Sequence, residues 1–258
     1  MKIQKAQIEC NDKKINILLQ IPDKENPPVV IMVHGYGGEG LEKYFVDTGK
    51  ELAKNGFFVV NFLFSAYNNI NDISNLSIED SIEELKCIIG FVNKQNIDKN
   101  RIAIVAQSLG CSITILLNDE RIKANVFLAP GIFLRKVFSK LFKHFNVLEE
   151  LENKGFAIYK PISRGTDKKI GVKFWNEVKQ IDHITEEQIR KIKIPTLIVH
   201  GTDDDLVEIE QSKKLYEMLN EPKKLFLVKD APHVTINNLN QRKIVIKEIL
   251  DWLNKWLK

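Results

Sequence analysis

Six short runs of apolar residues recur along the chain, and each is followed by a segment with the spacing of an amphipathic helix. The run Val29–Val33 reads Val-Val-Ile-Met-Val, without polar alternation, which is typical of a strand buried on both faces. Strands that alternate with helices favour βαβ units and a mostly parallel sheet. The predicted buried strands cover residues 29–33, 57–62, 101–106, 124–128, 196–199 and 224–228. The predicted helices cover residues 42–54, 78–95, 109–118, 208–219 and 237–257.

The N-terminal part of the chain has a different pattern. Residues 2–9 and 14–21 are extended runs around Asn11-Asp12, which predicts a β-hairpin with a tight turn. With 258 residues in all, the chain can be built around one hydrophobic core. We therefore expect residues 1–258 to form a single domain.

A long segment, residues 131–192, separates two predicted strands and is far longer than a usual connection. It begins with an amphipathic helix around Phe133 and continues with extended stretches at 156–162 and 169–174 around a turn at 164–167. Long insertions of this kind are usually lids or binding loops. We interpret this segment as a cap, a helix plus a hairpin, inserted at about residues 131–192; the alternative is a surface insertion without function.

The composition excludes several classes of protein. Hydrophobic residues make up 44% and charged residues 28% of the chain, as in ordinary globular proteins. The net charge is +4, but the lysines lie beside acidic residues, so we expect no nucleic-acid partner. An apolar run of about 18 residues would be needed to span a membrane, and the sequence contains none. The residues after Met1 lead into an alternating pattern and do not resemble a signal peptide.

The three cysteines, Cys10, Cys87 and Cys111, are few, odd in number and irregularly spaced. This pattern argues against a disulfide framework and is typical of a protein in a reducing compartment, so we expect a cytoplasmic location. The sequence leaves the oligomeric state open, with a homodimer among the alternatives.

The pentapeptide Ala106-Gln107-Ser108-Leu109-Gly110 follows a buried strand and opens a helix. A nucleophile elbow needs this context, because its serine projects from a sharp strand-to-helix turn flanked by small residues. The first small residue here is alanine instead of the usual glycine, which weakens the motif taken alone. The alternative is a serine that merely caps the helix.

A serine hydroxyl needs a base to become a nucleophile, and the base needs an acid that orients it. Two loops downstream offer these groups in the order serine, acid, histidine. One runs from His200 to Val207 after a buried strand and carries three consecutive aspartates, and the other contains His233 after the last strand. Both loops follow strands of the predicted sheet, so both are expected at its carboxyl edge, where ligands bind.

Taken together, these motifs resemble the α/β-hydrolase superfamily over essentially the whole chain. Residues 97–103, which precede the elbow, resemble the same segment in prolyl-oligopeptidase-like and dienelactone-hydrolase-like members. The resemblance implies an α/β-hydrolase fold, with a mostly parallel eight-stranded sheet, helices on both faces and a small inserted cap.

The resemblance also assigns site residues. In this superfamily the acid stands three residues after the glycine of its loop, with a valine three residues later, which selects Asp204 with Val207 in register. The neighbours Asp203 and Asp205 are the alternatives, expected as a turn residue and a solvated carboxylate. His233 matches the base.

Four other histidines are not expected to act as the base. His34 and His200 each end a strand before a glycine and are expected to shape those turns. His144 and His183 fall in the cap, where a solvated or substrate-lining role is expected.

The oxyanion hole implied by the resemblance uses two backbone N–H groups. Leu109, directly after the nucleophile, offers one at a helix start. The loop beginning His34-Gly35 resembles the His-Gly-x loop of the superfamily, in which the residue after glycine, here Tyr36, supplies the other. The alternative is a simple glycine-rich turn.

Two positions depart from the superfamily pattern. Cys111 stands where a glycine is common. The segment from Leu63 to Asn69 replaces a frequent Arg-Gly-x-Gly-x-Ser loop that shapes the floor of the site. This second departure puts substrate inferences from close relatives in doubt.

The expected function is a serine hydrolase that cleaves a small-molecule carboxylic ester through a Ser108-His233-Asp204 triad, without cofactor or metal. The cap resembles that of cinnamoyl or feruloyl esterases and small carboxylesterases. Its aromatic residues either line an acyl or aryl pocket or pack the cap onto the body. The alternatives are a serine peptidase of the oligopeptidase or aminopeptidase kind and a non-catalytic ligand sensor on the same scaffold. The cap aromatics are Phe133, Phe138, Phe142, Phe145 and Trp175.

Overall fold

The computed structural model describes residues 1–38, 40–160, 166–236 and 238–258. An eight-stranded sheet forms its centre, with strand order β1-β2-β4-β3-β6-β7-β10-β11. The two strands of the N-terminal hairpin are antiparallel to their neighbours, and the other six strands run parallel. These strands are β1 (Lys2–Cys10), β2 (Lys13–Ile21), β3 (Val29–Val33), β4 (Phe58–Leu63), β6 (Ile102–Gln107), β7 (Ile122–Leu128), β10 (Thr196–Gly201) and β11 (Lys223–Val228).

Helices cover both faces of the sheet because its central strands are apolar on both sides. Alternate residues of β3 lie in different cores: Val30 and Met32 pack with α1 and α9, whereas Ile31 lies in the larger core with α2, α3 and α8. The mostly parallel sheet with two covered faces confirms the predicted α/β-hydrolase fold. These helices are α1 (Lys43–Lys54), α2 (Ile78–Val92), α3 (Leu109–Leu117), α8 (Ile209–Met218) and α9 (Leu239–Leu257).

The cysteine prediction is wrong for two of the three residues. Cys10, at the end of β1, forms a disulfide with Cys87 in α2 and so joins the hairpin to the body of the sheet. Cys111 is the free cysteine and is buried. The argument from cysteine usage for a reducing compartment therefore fails, and a cytoplasmic location stays a prediction. Within the described residues, no helix combines the length and the apolar character needed to cross a bilayer.

The described residues of the segment between β7 and β10 form four helices and a hairpin. The hairpin of β8 and β9 is antiparallel, and β9 also pairs with β5, a two-residue strand that follows β4, so the insertion and the body share a three-stranded sheet. The predicted hairpin is confirmed, but residues 169–174 are not extended throughout, because a helix begins at Val172. Part of the predicted turn at 164–167 lies outside the described residues. The elements are β5 (Asp72–Ile73), α4 (Leu134–His144), α5 (Leu148–Lys154), β8 (Phe156–Tyr159), β9 (Lys168–Gly171), α6 (Val172–Ile181) and α7 (Glu186–Arg190).

A carboxylate anchors this segment to the body. Glu177 in α6 accepts hydrogen bonds from the Ser77 hydroxyl at 2.6 Å and from the Ile78 backbone N–H at 2.5 Å. These donors stand at the N-terminus of α2, where unpaired N–H groups and the helix dipole favour an anion. Lys136 in α4 also pairs with Glu208, just before α8, at 2.5 Å. The segment is thus held to the body through both α4 and α6.

Gly201, at the end of β10, lies close to the backbone of the loop that follows β11, and this contact can be tested by substitution. A Cβ added to Gly201 would lie 2.1 Å from the Ala231 carbonyl oxygen, whereas a Cβ added to Gly90 in α2 would meet no atom within 4 Å. We expect Gly201→Ala to lower the free energy of unfolding by about 1–3 kcal/mol through overpacking. Gly90→Ala should raise it by about 0.5–1 kcal/mol, because alanine favours the helix. Denaturant unfolding monitored by circular dichroism measures both, and equal effects at the two sites would contradict the close approach.

Candidate active site

Ser108 stands between the end of β6 and the start of α3 in a strained conformation. Its φ of 51° and ψ of −119° are unusual for a residue with a side chain. Its backbone N–H donates to the Leu128 carbonyl on the neighbouring strand at 2.9 Å, which holds the turn against the sheet. Strain of this kind costs about 1–3 kcal/mol and persists where surrounding structure imposes it. The turn has the shape of a nucleophile elbow.

The structure limits the side-chain size at Gly110 and at Ala106, the small residues on either side of Ser108, to different extents. A Cβ on Gly110 would lie 2.6 Å from the His34 carbonyl oxygen and 2.7 Å from that of Val33, so this position requires glycine. Ala106 is fully buried within β6, and its methyl group is accommodated there. Cys111 donates its thiol to the Ala106 carbonyl at 3.2 Å. The structure therefore accommodates both departures from the usual elbow sequence.

Ser108, His233 and Asp204 form one hydrogen-bonded series. His233 Nε2 lies 3.0 Å from Ser108 Oγ, and His233 Nδ1 lies 2.7 Å from Asp204 Oδ2. Because a carboxylate only accepts, the Nδ1 atom carries the proton and the Nε2 lone pair faces the serine hydroxyl. The His233 side chain is 13% exposed and that of Asp204 is 1% exposed. The three residues predicted from sequence are thus brought together in the predicted order.

Asp204 is the one of the three consecutive aspartates that points inward. Its Oδ1 accepts hydrogen bonds from the backbone N–H groups of Leu206 at 2.9 Å and Val207 at 2.8 Å. Burial raises the pKa of this carboxyl, but hydrogen bonds from His200, His233 and Val207 outweigh it and hold the pKa well below its ordinary value. The neighbouring aspartates are exposed. Asp204 therefore stays ionised beside the His233 ring.

A second histidine, His200, contacts the same carboxylate. His200 Nε2 lies 3.0 Å from Asp204 Oδ2 and 2.9 Å from the Val207 carbonyl oxygen. Both are acceptors, so Nε2 carries the ring proton and the Ser212 hydroxyl, 2.6 Å from Nδ1, donates to the other nitrogen. His200 is fully buried. It therefore shapes the turn, as predicted, and in addition holds the carboxylate oxygen of Asp204 that His233 also contacts.

The remaining histidines lie away from this series. His34 Nδ1 faces the Gly35 carbonyl at 2.8 Å, and its Nε2 accepts from the Phe64 N–H at 3.0 Å, so the ring shapes the turn as predicted. His144 and His183 are both exposed on the inserted segment, and neither lines the cavity next to Ser108. The solvated role predicted for these two is the one that the structure supports.

The two backbone donors predicted for an oxyanion hole flank Ser108. Leu109 is the first residue of α3, and Tyr36 belongs to the loop after β3. Gly35 approaches so closely that an added Cβ would lie 3.1 Å from Ser108 Cβ and 3.8 Å from the Leu109 backbone nitrogen. In the described part of the chain, neither the Tyr36 nor the Leu109 N–H donates to an acceptor. Both groups are therefore available to an oxygen bound beside Ser108.

A tyrosine from the unusual loop after β4 fixes the position of this second donor. Tyr67 is buried and donates its hydroxyl to the Tyr36 carbonyl at 2.6 Å. Its ring also packs beside Gly38, whose φ of +77° completes the turn. The segment that departs from the superfamily pattern thus still supports the floor of the site, with a different residue.

A cavity of about 250 Å³ opens directly beside Ser108 and His233. The inserted segment forms much of its wall through α4 and the hairpin, and the wall is mainly apolar. The Tyr159 hydroxyl contacts that of Tyr36 at 3.4 Å. Burial first, and then the neighbouring tyrosines, raise the pKa of Tyr36 well above its ordinary value, so its phenol stays protonated. Residues of the inserted segment in the wall are Val137, Phe138, Leu141, Phe145, Tyr159 and Lys168.

The five aromatic residues singled out in the cap have different surroundings. Phe138 and Phe145 line the cavity. Phe142 packs against Trp175 within the cap, with ring centroids 5.7 Å apart, and against Tyr36 of the body at 6.1 Å. Phe133 lies beside His183, also within the cap. Among the described residues, no group of three or more His, Cys, Asp or Glu side chains is arranged to hold a metal ion.

Comparison with known proteins identifies the family. Residues 24–240 match the family described as serine aminopeptidase, S33. The chain belongs to this family. This α/β hydrolase is also similar to the uncharacterized protein YqkD of Bacillus subtilis. The two are 36% identical over 69 residues, which are 26% of this chain and 22% of that protein. The match thus spans less than a quarter of the length of that curated relative.

Solved structures of esterases have the same fold as this α/β hydrolase. The esterase domain of a Rhodothermus marinus protein superposes with a TM-score of 0.75 at 18% identity over 100% of both chains. Est1E from Butyrivibrio proteoclasticus, in a structure with bound ferulic acid, gives a TM-score of 0.73 at 20% identity over 96% of this chain and 99% of that one.

The sequence analysis did not predict the part that several residues take in the site. His200 precedes Asp204 by four residues, and this spacing is the only sequence signal of their contact. Gln107 stands within the elbow pentapeptide and lines the cavity. Tyr67 and Lys168 have no local signal, because their places in the site depend on how the loop after β4 and the hairpin pack.

Because His200 and His233 contact the same carboxylate oxygen of Asp204, we expect His200 variants to change the reactivity of Ser108. A hydrogen bond to a charged group contributes about 1.5–3 kcal/mol. We expect His200→Phe to slow the reaction of Ser108 with a fluorophosphonate by about 10–100-fold, as the lost bond would imply. His200→Gln keeps an N–H near the Nε2 position and should restore most of the rate.

The Ser212→Ala variant is the matched control. It removes the partner of His200 Nδ1 and leaves the Asp204 contact in place. Equal rates for His200→Phe, His200→Gln and Ser212→Ala, at comparable melting temperatures, would show that His200 does not act through Asp204.

Proposed function

We propose that this α/β hydrolase cleaves carboxylic esters of small molecules through an acyl-enzyme on Ser108. The observation that carries the proposal is the series from Asp204 through His233 to Ser108, with contacts of 2.7 and 3.0 Å, beside an apolar cavity. A nucleophile, a base and an orienting acid are the groups that acyl transfer requires. Ser108, His233 and Asp204 take these roles as a catalytic triad.

The first half of the reaction forms the acyl-enzyme. His233 Nε2 takes the proton of the Ser108 hydroxyl as Oγ attacks the ester carbonyl carbon, and the carbonyl oxygen becomes an oxyanion. The backbone N–H groups of Tyr36 and Leu109 bind this oxyanion, each contributing about 3 kcal/mol to the transition state. The Asp204 carboxylate stabilises the imidazolium that has formed. As the intermediate collapses, His233 gives its proton to the departing alkoxide, and the alcohol leaves.

The second half releases the acid. A water molecule loses a proton to His233 Nε2 and attacks the acyl carbon, and a second oxyanion forms in the same place. When this intermediate collapses, the bond to Ser108 Oγ breaks and His233 returns its proton to that oxygen. The carboxylic acid leaves, and the enzyme regains its starting state without any cofactor.

The chemistry of the cavity favours an ester over a peptide with a free amino terminus. An enzyme that holds a peptide ammonium group needs an anionic or strongly accepting partner in its site. Among the described residues that line the cavity, none is acidic, and Lys168 contributes a positive charge. Glu152, an acidic residue of the cap, is engaged elsewhere, since it accepts from the Trp175 indole N–H at 2.9 Å.

The structural relatives support the same choice. The Rhodothermus marinus structure is an esterase domain, and Est1E has ferulic acid bound in one of its structures. Phe138, Phe145 and Tyr159 give the cavity of this chain aromatic walls. Aryl groups and short apolar chains are therefore the parts of a substrate that we expect this cavity to hold. An aminopeptidase activity is the second candidate, because the family is described as serine aminopeptidase, S33.

A direct comparison of two substrates distinguishes these activities. We expect turnover of p-nitrophenyl esters of short acids and at least about 100-fold slower turnover of amino-acid p-nitroanilides, which would correspond to about 3 kcal/mol in the barrier. Ser108→Ala and His233→Ala should each abolish ester turnover while the protein stays folded. Ser112→Ala is the matched control, since Ser112 donates to the Gly131 carbonyl at 2.7 Å and does not line the cavity.

Each other outcome favours a different function. Faster cleavage of the anilides would favour the aminopeptidase. Absence of turnover together with absence of fluorophosphonate labelling would favour a ligand sensor. Ester turnover that survives in Ser108→Ala would refute the proposed mechanism.

A further inference from the structure

The carboxamide of Gln107 is buried without a hydrogen-bond partner beside the nucleophile. Gln107 is the last residue of β6, is 3% exposed and lines the cavity next to Ser108. Within the described part of the chain its Oε1 atom has no partner, and its amide nitrogen makes no hydrogen bond either. A buried amide left unpaired costs about 1–3 kcal/mol, so such a group in a native structure calls for an explanation.

The other polar side chains of the cavity wall already interact within the chain. Tyr159 contacts the Tyr36 hydroxyl, and the Lys168 ammonium lies 5.8 Å from the centre of the Tyr67 ring. The Ser108 hydroxyl faces His233 at 3.0 Å. Gln107 thus differs from its polar neighbours in having both ends of its side chain without a protein partner.

We propose that Gln107 is a specificity residue, whose carboxamide hydrogen-bonds a hydroxyl group on the acyl part of the ester substrate. A carboxamide offers an acceptor at one end and donors at the other, and a hydroxyl both donates and accepts. A hydroxyl therefore satisfies whichever end of the amide faces the cavity. The walls formed by Val137, Phe138 and Leu141 hold the apolar remainder of the acyl group. The substrate class is an ester of a hydroxylated, otherwise apolar acid, and the inference rests on the proposed esterase function.

A contrast with a second buried glutamine supports a role in binding. Gln20 is also fully buried and its Oε1 atom likewise has no partner, but its amide nitrogen donates to Asn61 Oδ1 at 2.9 Å and to the Val46 carbonyl at 3.0 Å. Gln20 thus ties β2 to β4 and α1. Gln107 makes no such tie, so a purely structural role leaves its burial unexplained.

Matched esters test the recognition. We compare kcat/KM for p-nitrophenyl butanoate with that for the 2-hydroxy and 3-hydroxy derivatives, in the wild type and in Gln107→Met, which has a similar length without polar atoms. A hydrogen bond of about 1 kcal/mol predicts a preference of about fivefold for one hydroxylated ester in the wild type. In Gln107→Met this preference should disappear, whereas Gln20→Met should retain it.

Stability provides a second readout that does not depend on activity. Replacing a buried, unpaired amide by an apolar side chain of similar shape removes a desolvation cost. Gln107→Met should therefore unfold at a higher temperature than the wild type, and Gln20→Met at a lower one. A lower melting temperature for Gln107→Met would show that the residue is structural and would overturn the inference.

The remaining outcomes separate this inference from the proposed function. Turnover of the unsubstituted ester without any preference for a hydroxyl would overturn the inference alone. A preference that survives in Gln107→Met would do the same. Absence of turnover on every ester would overturn the proposed function and this inference with it.

Discussion

The carboxylate of Asp204 is the point on which the arrangement of the site depends. Its two oxygens receive four hydrogen-bond donors: the imidazoles of His200 and His233, and the backbone N–H groups of Leu206 and Val207. An isolated buried carboxylate would be strongly destabilising, so the surrounding donors are a condition of its burial. Because they come from the end of β10, from its loop and from the loop after β11, one anion fixes the relative positions of all three.

The parallel sheet explains why these donors meet. β6, β10 and β11 run in the same direction, so their carboxyl ends open at one edge, where Ser108, Asp204 and His233 follow them. The inserted segment closes this edge from above and leaves a cavity of about 250 Å³. The strand ends thus supply the hydrogen-bonded side chains of Asp204, His233 and Ser108, and the inserted segment supplies an apolar wall. The proposed acyl transfer to an apolar substrate needs both.

The sequence predicted the central sheet well because buried strands leave a strong apolar signal. The strand beginning at Thr196 and the helix beginning at Ile78 start where they were predicted. The cap was predicted less well, since its elements are short and held by tertiary contacts. For example, β9 ends at Gly171, where an added Cβ would lie 2.0 Å from the Ser74 carbonyl oxygen, a contact without local signal. The disulfide of Cys10 and Cys87 joins residues 77 positions apart, and the contacts of His200 and the place of Gln107 in the cavity wall depend equally on tertiary structure.

The most direct test of an acyl-enzyme on Ser108 is to trap it. An aryl carbamate such as p-nitrophenyl dimethylcarbamate transfers a carbamoyl group that water removes slowly, so the modified enzyme accumulates. Release of one p-nitrophenolate per chain, together with a carbamoyl group located by peptide mass spectrometry on Ser108, is the expected result. Modification of a different side chain, or ester turnover without any modification of Ser108, would contradict the mechanism.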